Sequence, residues 1–132
     1  MTRIMLDTSA YSAFMLGHSD IKVALQEADA IYLTPIIIGE LRAGFLRGKS
    51  RRKNEGEFRA FLDSPRVNVV DVTATTAERY AVILNFLWKN GTPIPTNDIW
   101  IAASAMQHGL RIITTDVHYE KVPQVITACF GV

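Results

Sequence analysis

Cysteine is almost missing from this sequence: Cys129 is the only one in 132 residues. That excludes an internal disulfide framework and any zinc site built on cysteine thiolates. An excess of charge of one sign is missing too. Fourteen Lys+Arg face thirteen Asp+Glu for a net charge of +1, so total charge announces neither a nucleic-acid nor a membrane partner. No apolar run approaches the ~20 residues of a membrane span. Met1 to Asp7 begins like a signal peptide, with Arg3 as its positive charge. Asp7 interrupts the apolar stretch, however, and no small-residue cleavage pattern follows. Repeats, low-complexity segments and Pro/Gly/Ser-rich linkers are also lacking. These absences predict a soluble protein of the reducing cytoplasm.

What is present is an ordinary globular composition, 48% apolar and 20% charged. The length predicts a single domain over residues 1–132, burying roughly 68% of its unfolded surface. Arg3 to Leu6, Ile31 to Leu33, Val67 to Val70, Arg111 to Thr114 and Val125 to Thr127 read as short strands. Helices are expected over Ser9 to Leu16 and Ser19 to Ala28, parted by Gly17. A third starts behind Thr34-Pro35 and runs to about Gly48, and a fourth spans Arg51 to Leu62. Thr75 to Glu78 has capping-box spacing and opens a helix to Asn90-Gly91; another runs from Thr96-Asn97 to His108-Gly109. Asp116 to Glu120 is a turn or short helix. Strands alternating with helices predict an α/β sandwich around a small parallel sheet.

Four carboxylates stand in apolar company. Asp7 follows Ile4-Met5-Leu6, Glu40 follows Ile36-Ile37-Ile38-Gly39, Asp98 precedes Ile99-Trp100-Ile101, and Asp116 follows Ile112-Ile113-Thr114-Thr115. Helical spacing puts Glu40 within the stripe of Ile36, Ile37, Leu41, Gly44 and Phe45, where a carboxylate is costly unless paired. Asp7 and Asp116 each follow a strand, and the carboxyl ends of parallel strands share the edge where open α/β sheets build their sites. Taken singly, each acid has an ordinary explanation. Asp7 can cap a helix, Asp98 can favour a helix dipole, Asp116 can close a turn, and Glu40 can pair with an Arg.

Taken together, the four can converge. Two carboxylates ~4 Å apart repel by about 4 kcal/mol at an effective dielectric of about 20. Such a cluster must hold protons, recruit Lys or Arg, or bind a cation. Oxygen ligands favour Mg²⁺ or Mn²⁺ over zinc, and no EF-hand-type loop is present for calcium. His18, His108 and His118 are scattered near element ends and fall outside the expected ligand set, although His118 lies two residues from Asp116. Phe86, Trp88 and Trp100 read as core or interface.

Between Leu41 and Asn54, Arg42, Arg47, Lys49, Arg51, Arg52 and Lys53 occur without an acid. They can track an RNA backbone or form a solvated helix face. A phosphoacceptor receiver domain also uses an acidic Mg²⁺ pocket. It would need an acid beside Asp7 and a lysine close behind the Ile112 strand, and both are missing.

Asp7-Thr8-Ser9, Glu40-Leu41-x-x-Gly44, Asn97-Asp98-x-x-Ile101-Ala102-Ala103 and Thr114-x-Asp116-x-x-Tyr119 resemble the PIN-domain nucleases, in particular the VapC-like toxins of type II toxin–antitoxin systems. The resemblance spans Asp7 to Tyr119, and Tyr119 stands where the family often has Phe. It implies a three-layer α/β/α sandwich and a Mg²⁺-dependent endoribonuclease whose acidic set is Asp7, Glu40, Asp98 and Asp116. Asp7, Asp98 and Asp116 are then the metal ligands. Glu40 holds a second metal or positions the attacking water, and Thr8 and Thr114 support the cluster. Mn²⁺ is an expected substitute for Mg²⁺. The implied partners are RNA, a cognate antitoxin that also contacts the basic stretch, and a second copy of the chain. The alternative is a non-catalytic PIN-like RNA- or protein-binding scaffold, which usually betrays itself by losing acids.

Overall fold

Apolar runs of three or four residues are long enough for strands, but only stacking them side by side removes their backbone groups from water. In this computed structural model, which describes residues 1–131, five such runs form one wholly parallel sheet. They are β1 (Arg3–Leu6), β2 (Ala30–Leu33), β3 (Val67–Val69), β4 (Arg111–Thr114) and β5 (Thr127–Cys129), in the order β3-β2-β1-β4-β5. The intervening helices are α1 (Thr8–Met15), α2 (Ser19–Glu27), α3 (Pro35–Arg47), α4 (Arg51–Leu62), α5 (Ala74–Asn90) and α6 (Thr96–His108). A 3₁₀ helix spans Val117–Lys121.

The central strands bury consecutive residues: Ile4, Met5 and Leu6 in β1, and Ile112, Ile113 and Thr114 in β4. Side chains alternate between sheet faces, so consecutive burial means that both faces are covered and the sandwich is α/β/α. The flanking strands β3 and β5 contain no fully buried residue. The chain leaves β1 toward β2 but leaves β4 toward β5, although β1 and β4 are paired neighbours. A reversal of this kind opens a crevice beyond the carboxyl ends of the two strands.

Several element boundaries differ from expectation for local reasons. Helix α1 starts at Thr8, because Asp7 itself is the N-cap. The capping box of α5 is Thr73 with Thr76, not Thr75 with Glu78. Thr76 is buried, and its hydroxyl donates to Gln107 of α6 at 2.5 Å, so a tertiary contact selects the helix start. The last strand lies two residues later than Val125 to Thr127, where Thr127, Ala128 and Cys129 pair with Ile112, Ile113 and Thr114. The stops at Gly91 and Gly109 stand as expected, each glycine in the left-handed region at φ 61° and 64°. Trp88 is not core: it is 72% exposed on α5, whereas Trp100 stacks on Tyr80 with ring centroids 4.2 Å apart.

Candidate active site

The crevice is floored by Asp7, the first residue after β1. Its carboxylate accepts from Ala10 N–H at 2.8 Å as the helix cap, and from the Ser9 hydroxyl at 2.9 Å. The other oxygen accepts from the Thr114 hydroxyl at 2.5 Å, across the β1–β4 boundary. Thr114 Oγ1 in turn accepts from Asp116 N–H at 2.9 Å, and Ser9 Oγ accepts from Thr115 N–H at 3.1 Å. The two strand ends are thus stitched together by hydroxyls. The cap reading of Asp7 and the converging-acid reading describe the same atoms, because one carboxylate does both.

The rim carries the other three acids. Asp98 lies in the first turn of α6, where the helix dipole favours a carboxylate. Asp116 N-caps the 3₁₀ helix by accepting from His118 N–H at 2.9 Å. Glu40 accepts from the Thr8 hydroxyl at 2.6 Å and from Asn97 Nδ2 at 3.2 Å. The expectation that Glu40 faces the core is corrected: α3 buries Ile37 and Leu41, while Glu40 is half-buried and reaches the rim without an Arg partner. Asp7, Thr8, Ser9, Glu40, Asp98, Ile101, Asp116 and Tyr119 line one cavity of about 200 Å³.

This cavity resists its own charge. Burial pushes the Asp7 carboxyl up to about 6, against the pull of its bonds to Thr114, Ala10 and Ser9, with the charge of Asp98 adding to the rise. Burial also raises Asp98, opposed by the hydrogen bond from His118 and reinforced by Asp116 and Glu40. The Tyr119 hydroxyl, 3.4 Å from Asp98, is held protonated by burial and by all four carboxylates. Among the described residues, no Lys or Arg pairs with any of the four acids. An oxygen-rich donor set of this kind, with no Lys or Arg against it among the described residues, suits a divalent cation of the Mg²⁺ or Mn²⁺ class.

All four expected acids therefore line the cavity, with Thr8 and Thr114 bonded to them. Three participants stood outside the expected set. Ser9 and Asn97 belong to the motifs around Asp7 and Asp98, but no role in the site was expected of them. His118 is the participant of most consequence. The 3₁₀ turn after Asp116 folds its ring back, so that Nδ1 lies 2.8 Å from Asp98 and 2.9 Å from Asp116. By contrast, Arg42, Arg47, Lys49, Arg51, Arg52 and Lys53 are exposed and do not line the cavity, and Arg42 pairs with Glu55 at 3.0 Å.

Comparison with known proteins agrees with this geometry. The family described as PIN domain matches residues 4–125, a span that includes all four acids. Ribonuclease VapC4 of Mycobacterium tuberculosis is 29% identical over 90 residues, which is 68% of this chain and 69% of that protein. Plasmid stability protein StbB of Pseudomonas syringae pv. tomato is 31% identical over 123 residues, which is 86% of this chain and 87% of that protein. The DNA-bound VapBC of Salmonella typhimurium shares the fold with a TM-score of 0.85 at 23% identity, over 97% of this chain and 98% of the matched one. The family match over nearly the whole length and the acids gathered at the sheet's carboxyl edge lead to one conclusion: this chain belongs to the PIN-domain family.

Proposed function

We propose that the protein is a divalent-metal-dependent endoribonuclease that hydrolyses RNA phosphodiester bonds, and that it is the toxin of a type II toxin–antitoxin pair. The carrying observation is the meeting of Asp7, Glu40, Asp98 and Asp116, from four separate segments, on one cavity where, among the described residues, no Lys or Arg pairs with them. The names of its relatives, Ribonuclease VapC4 among them, and the VapBC complex that shares its fold support the same reading. The scaffold alternative has no observation in its favour, since every acid of the set is present.

In this reading Asp7, Asp98 and Asp116 hold the cation. When bound, Mg²⁺ or Mn²⁺ supplies Lewis-acid stabilisation of charge on the phosphodiester oxygens and acidifies water. Glu40, oriented by Thr8 and Asn97, aligns the attacking water and accepts its proton. Thr114 fixes Asp7 and, through Asp116 N–H, the start of the 3₁₀ helix, so the ligands keep their spacing.

The basic residues follow RNA phosphates and meet the antitoxin in turn. Arg51, Arg52 and Lys53 occupy the first turn of α4, where the dipole opposes cations and Ser50 makes no side-chain cap bond. A bound phosphate relieves both penalties. The working form is a homodimer in the cytoplasm. Among the described residues no helix is long and apolar enough to cross a membrane.

The test is cleavage of an RNA panel by purified protein with Mg²⁺ or Mn²⁺, beside Asp98→Ala and an EDTA control. Cleavage lost in both controls supports the carboxylate–metal reading. Cleavage that survives Asp98→Ala marks a contaminant or a different mechanism. Growth arrest on expression without an antitoxin tests the toxin role, and unaffected growth with soluble, active enzyme counts against it.

A further inference from the structure

One group in the acidic crevice is left unused by the chemistry described above. His118 Nδ1 sits between two carboxylates, 2.8 Å from Asp98 Oδ2 and 2.9 Å from Asp116 Oδ2. Its position is built by the backbone: His118 N–H donates to Asp116 Oδ1 at 2.9 Å, and the next residue, Tyr119, is 1% exposed and anchors the short helix. Asp98, Asp116 and His118 thus offer one donor atom each, all within 4.8 Å of one another. In an octahedral shell with bonds of about 2.1 Å, adjacent donor atoms lie about 3.0 Å apart. The two separations from Nδ1 are already close to that edge length.

We propose that His118 is a nitrogen ligand of the metal site, completing a donor face with Asp98 and Asp116, and that it biases the protein toward Mn²⁺ over Mg²⁺. The proposal rests on the metal-dependent nuclease reading and deepens it. Mg²⁺ prefers oxygen donors and gives up water reluctantly, so an imidazole nitrogen adds little to its binding. Transition-metal ions accept imidazole readily, and a set in which carboxylates outnumber nitrogen donors suits Mn²⁺. The tautomer that binds metal carries its proton on Nε2 and presents the Nδ1 lone pair to the position the two carboxylates share. A histidine that served only to tie the two carboxylates together would instead remain outside the coordination shell when metal binds.

Two readouts independent of activity decide the matter. Mn²⁺ and Mg²⁺ are titrated separately into the purified full-length chain by calorimetry, and the Mn²⁺-loaded protein is examined by pulsed EPR for imidazole nitrogen modulation. Nitrogen modulation in the wild type, with Mn²⁺ bound at least about tenfold more tightly than Mg²⁺, supports the proposal. His118→Ala, checked for folding by circular dichroism, is then expected to lose the modulation and roughly tenfold in Mn²⁺ affinity, with Mg²⁺ affinity changed less than about twofold. Mn²⁺ binding without nitrogen modulation, or an equal loss of both metals in the variant, overturns the ligand role but leaves the carboxylate site standing. Failure of both metals to bind the wild type, or undiminished binding by Asp116→Asn, overturns the metal reading itself and the proposal with it. The wild-type EPR result stands even if the variant does not fold.

Discussion

Asp7, Glu40, Asp98 and Asp116 are far apart in the chain and meet in one cavity, whereas the six basic residues from Arg42 to Lys53 are close in the chain and spread over solvent. The difference lies in what opposes repulsion. The basic side chains are long and exposed, so water and salt screen them and no particular geometry is imposed. Three of the acids are short and sit at element starts: Asp7 and Asp116 are caps, and Asp98 is in a first turn, whereas Glu40 projects from within α3. Sheet pairing between β1 and β4, together with the Thr114 and Ser9 hydroxyls of the crevice, holds them together despite their mutual repulsion. Proximity in sequence therefore says little about local charge density, whereas position at the sheet's carboxyl edge says much.

The largest effect is expected from breaking the acidic side of this contrast. Asp116→Asn should lower RNA cleavage by at least about three orders of magnitude, beyond the roughly 10–100-fold typical of outer-shell partners. It should also abolish the stabilisation by Mn²⁺, read as a rise in Tm, which for the wild type at 100 times Kd corresponds to about 2.7 kcal/mol. Retained cleavage would remove Asp116 from the reaction.

Next in size is Asp7, which tests whether the cavity works against stability. Its carboxyl is raised to about 6 in the fold, from an ordinary value of 3.8. The folded state therefore holds the proton more tightly than the unfolded one. In metal-free protein, the stabilisation from the protonated form is complete below about pH 4 and lost as pH rises through about 6, by on the order of 3 kcal/mol. Denaturant unfolding in EDTA should show this fall. Asp7→Asn keeps a capping oxygen, and should flatten the dependence and raise stability at pH 7 by roughly 2 kcal/mol while eliminating cleavage. A variant less stable than wild type at pH 7 would mean that the disturbed hydrogen-bond geometry outweighs the relieved charge.

Thr114→Val tests the hydroxyl stitching. It removes the donor to Asp7 and the acceptor for Asp116 N–H, and should cost about 1–3 kcal/mol of stability. Calorimetry should find metal affinity lowered by roughly 10–100-fold. Equal metal affinity in the two proteins would show that the carboxylates keep their spacing unaided.

The smallest effects belong to the basic side. Arg51→Glu with Arg52→Glu places acids at the start of α4, and should raise stability by about 0.3–1 kcal/mol. The same pair should weaken RNA binding and make the salt dependence shallower, by about 0.7 in slope for each phosphate no longer neutralised. Opposite signs for stability and binding would sharpen the contrast. Unchanged RNA affinity would leave this face to the antitoxin.

Much of the architecture was legible because it is local. The stops at Gly91 and Gly109, the cap at Thr34 and the apolar runs around β1 and β4 are read from neighbouring residues, and the structure places them as expected. The boundaries that moved were decided by distant partners: Thr76 by Gln107, and β5 by the register of β4. The same division runs through the site. Asp7, Glu40, Asp98 and Asp116 stood out because an acid in an apolar run is locally anomalous. Ser9 and Asn97 entered only as members of the motifs around Asp7 and Asp98, since hydroxyls and amides beside a helix start are ordinary.

By itself, then, the sequence determined the strand–helix alternation, the four acids in apolar runs and the resemblance to a nuclease family, all carried by short-range patterns. Tertiary structure alone decided that Glu40 leans to the rim rather than the core, that no Lys or Arg answers the acids among the described residues, and that the His118 ring turns back between Asp98 and Asp116. Those outcomes depend on where a 3₁₀ turn and two helices stop relative to one another. Such distances are set by packing across the sheet, and no spacing along the chain encodes them.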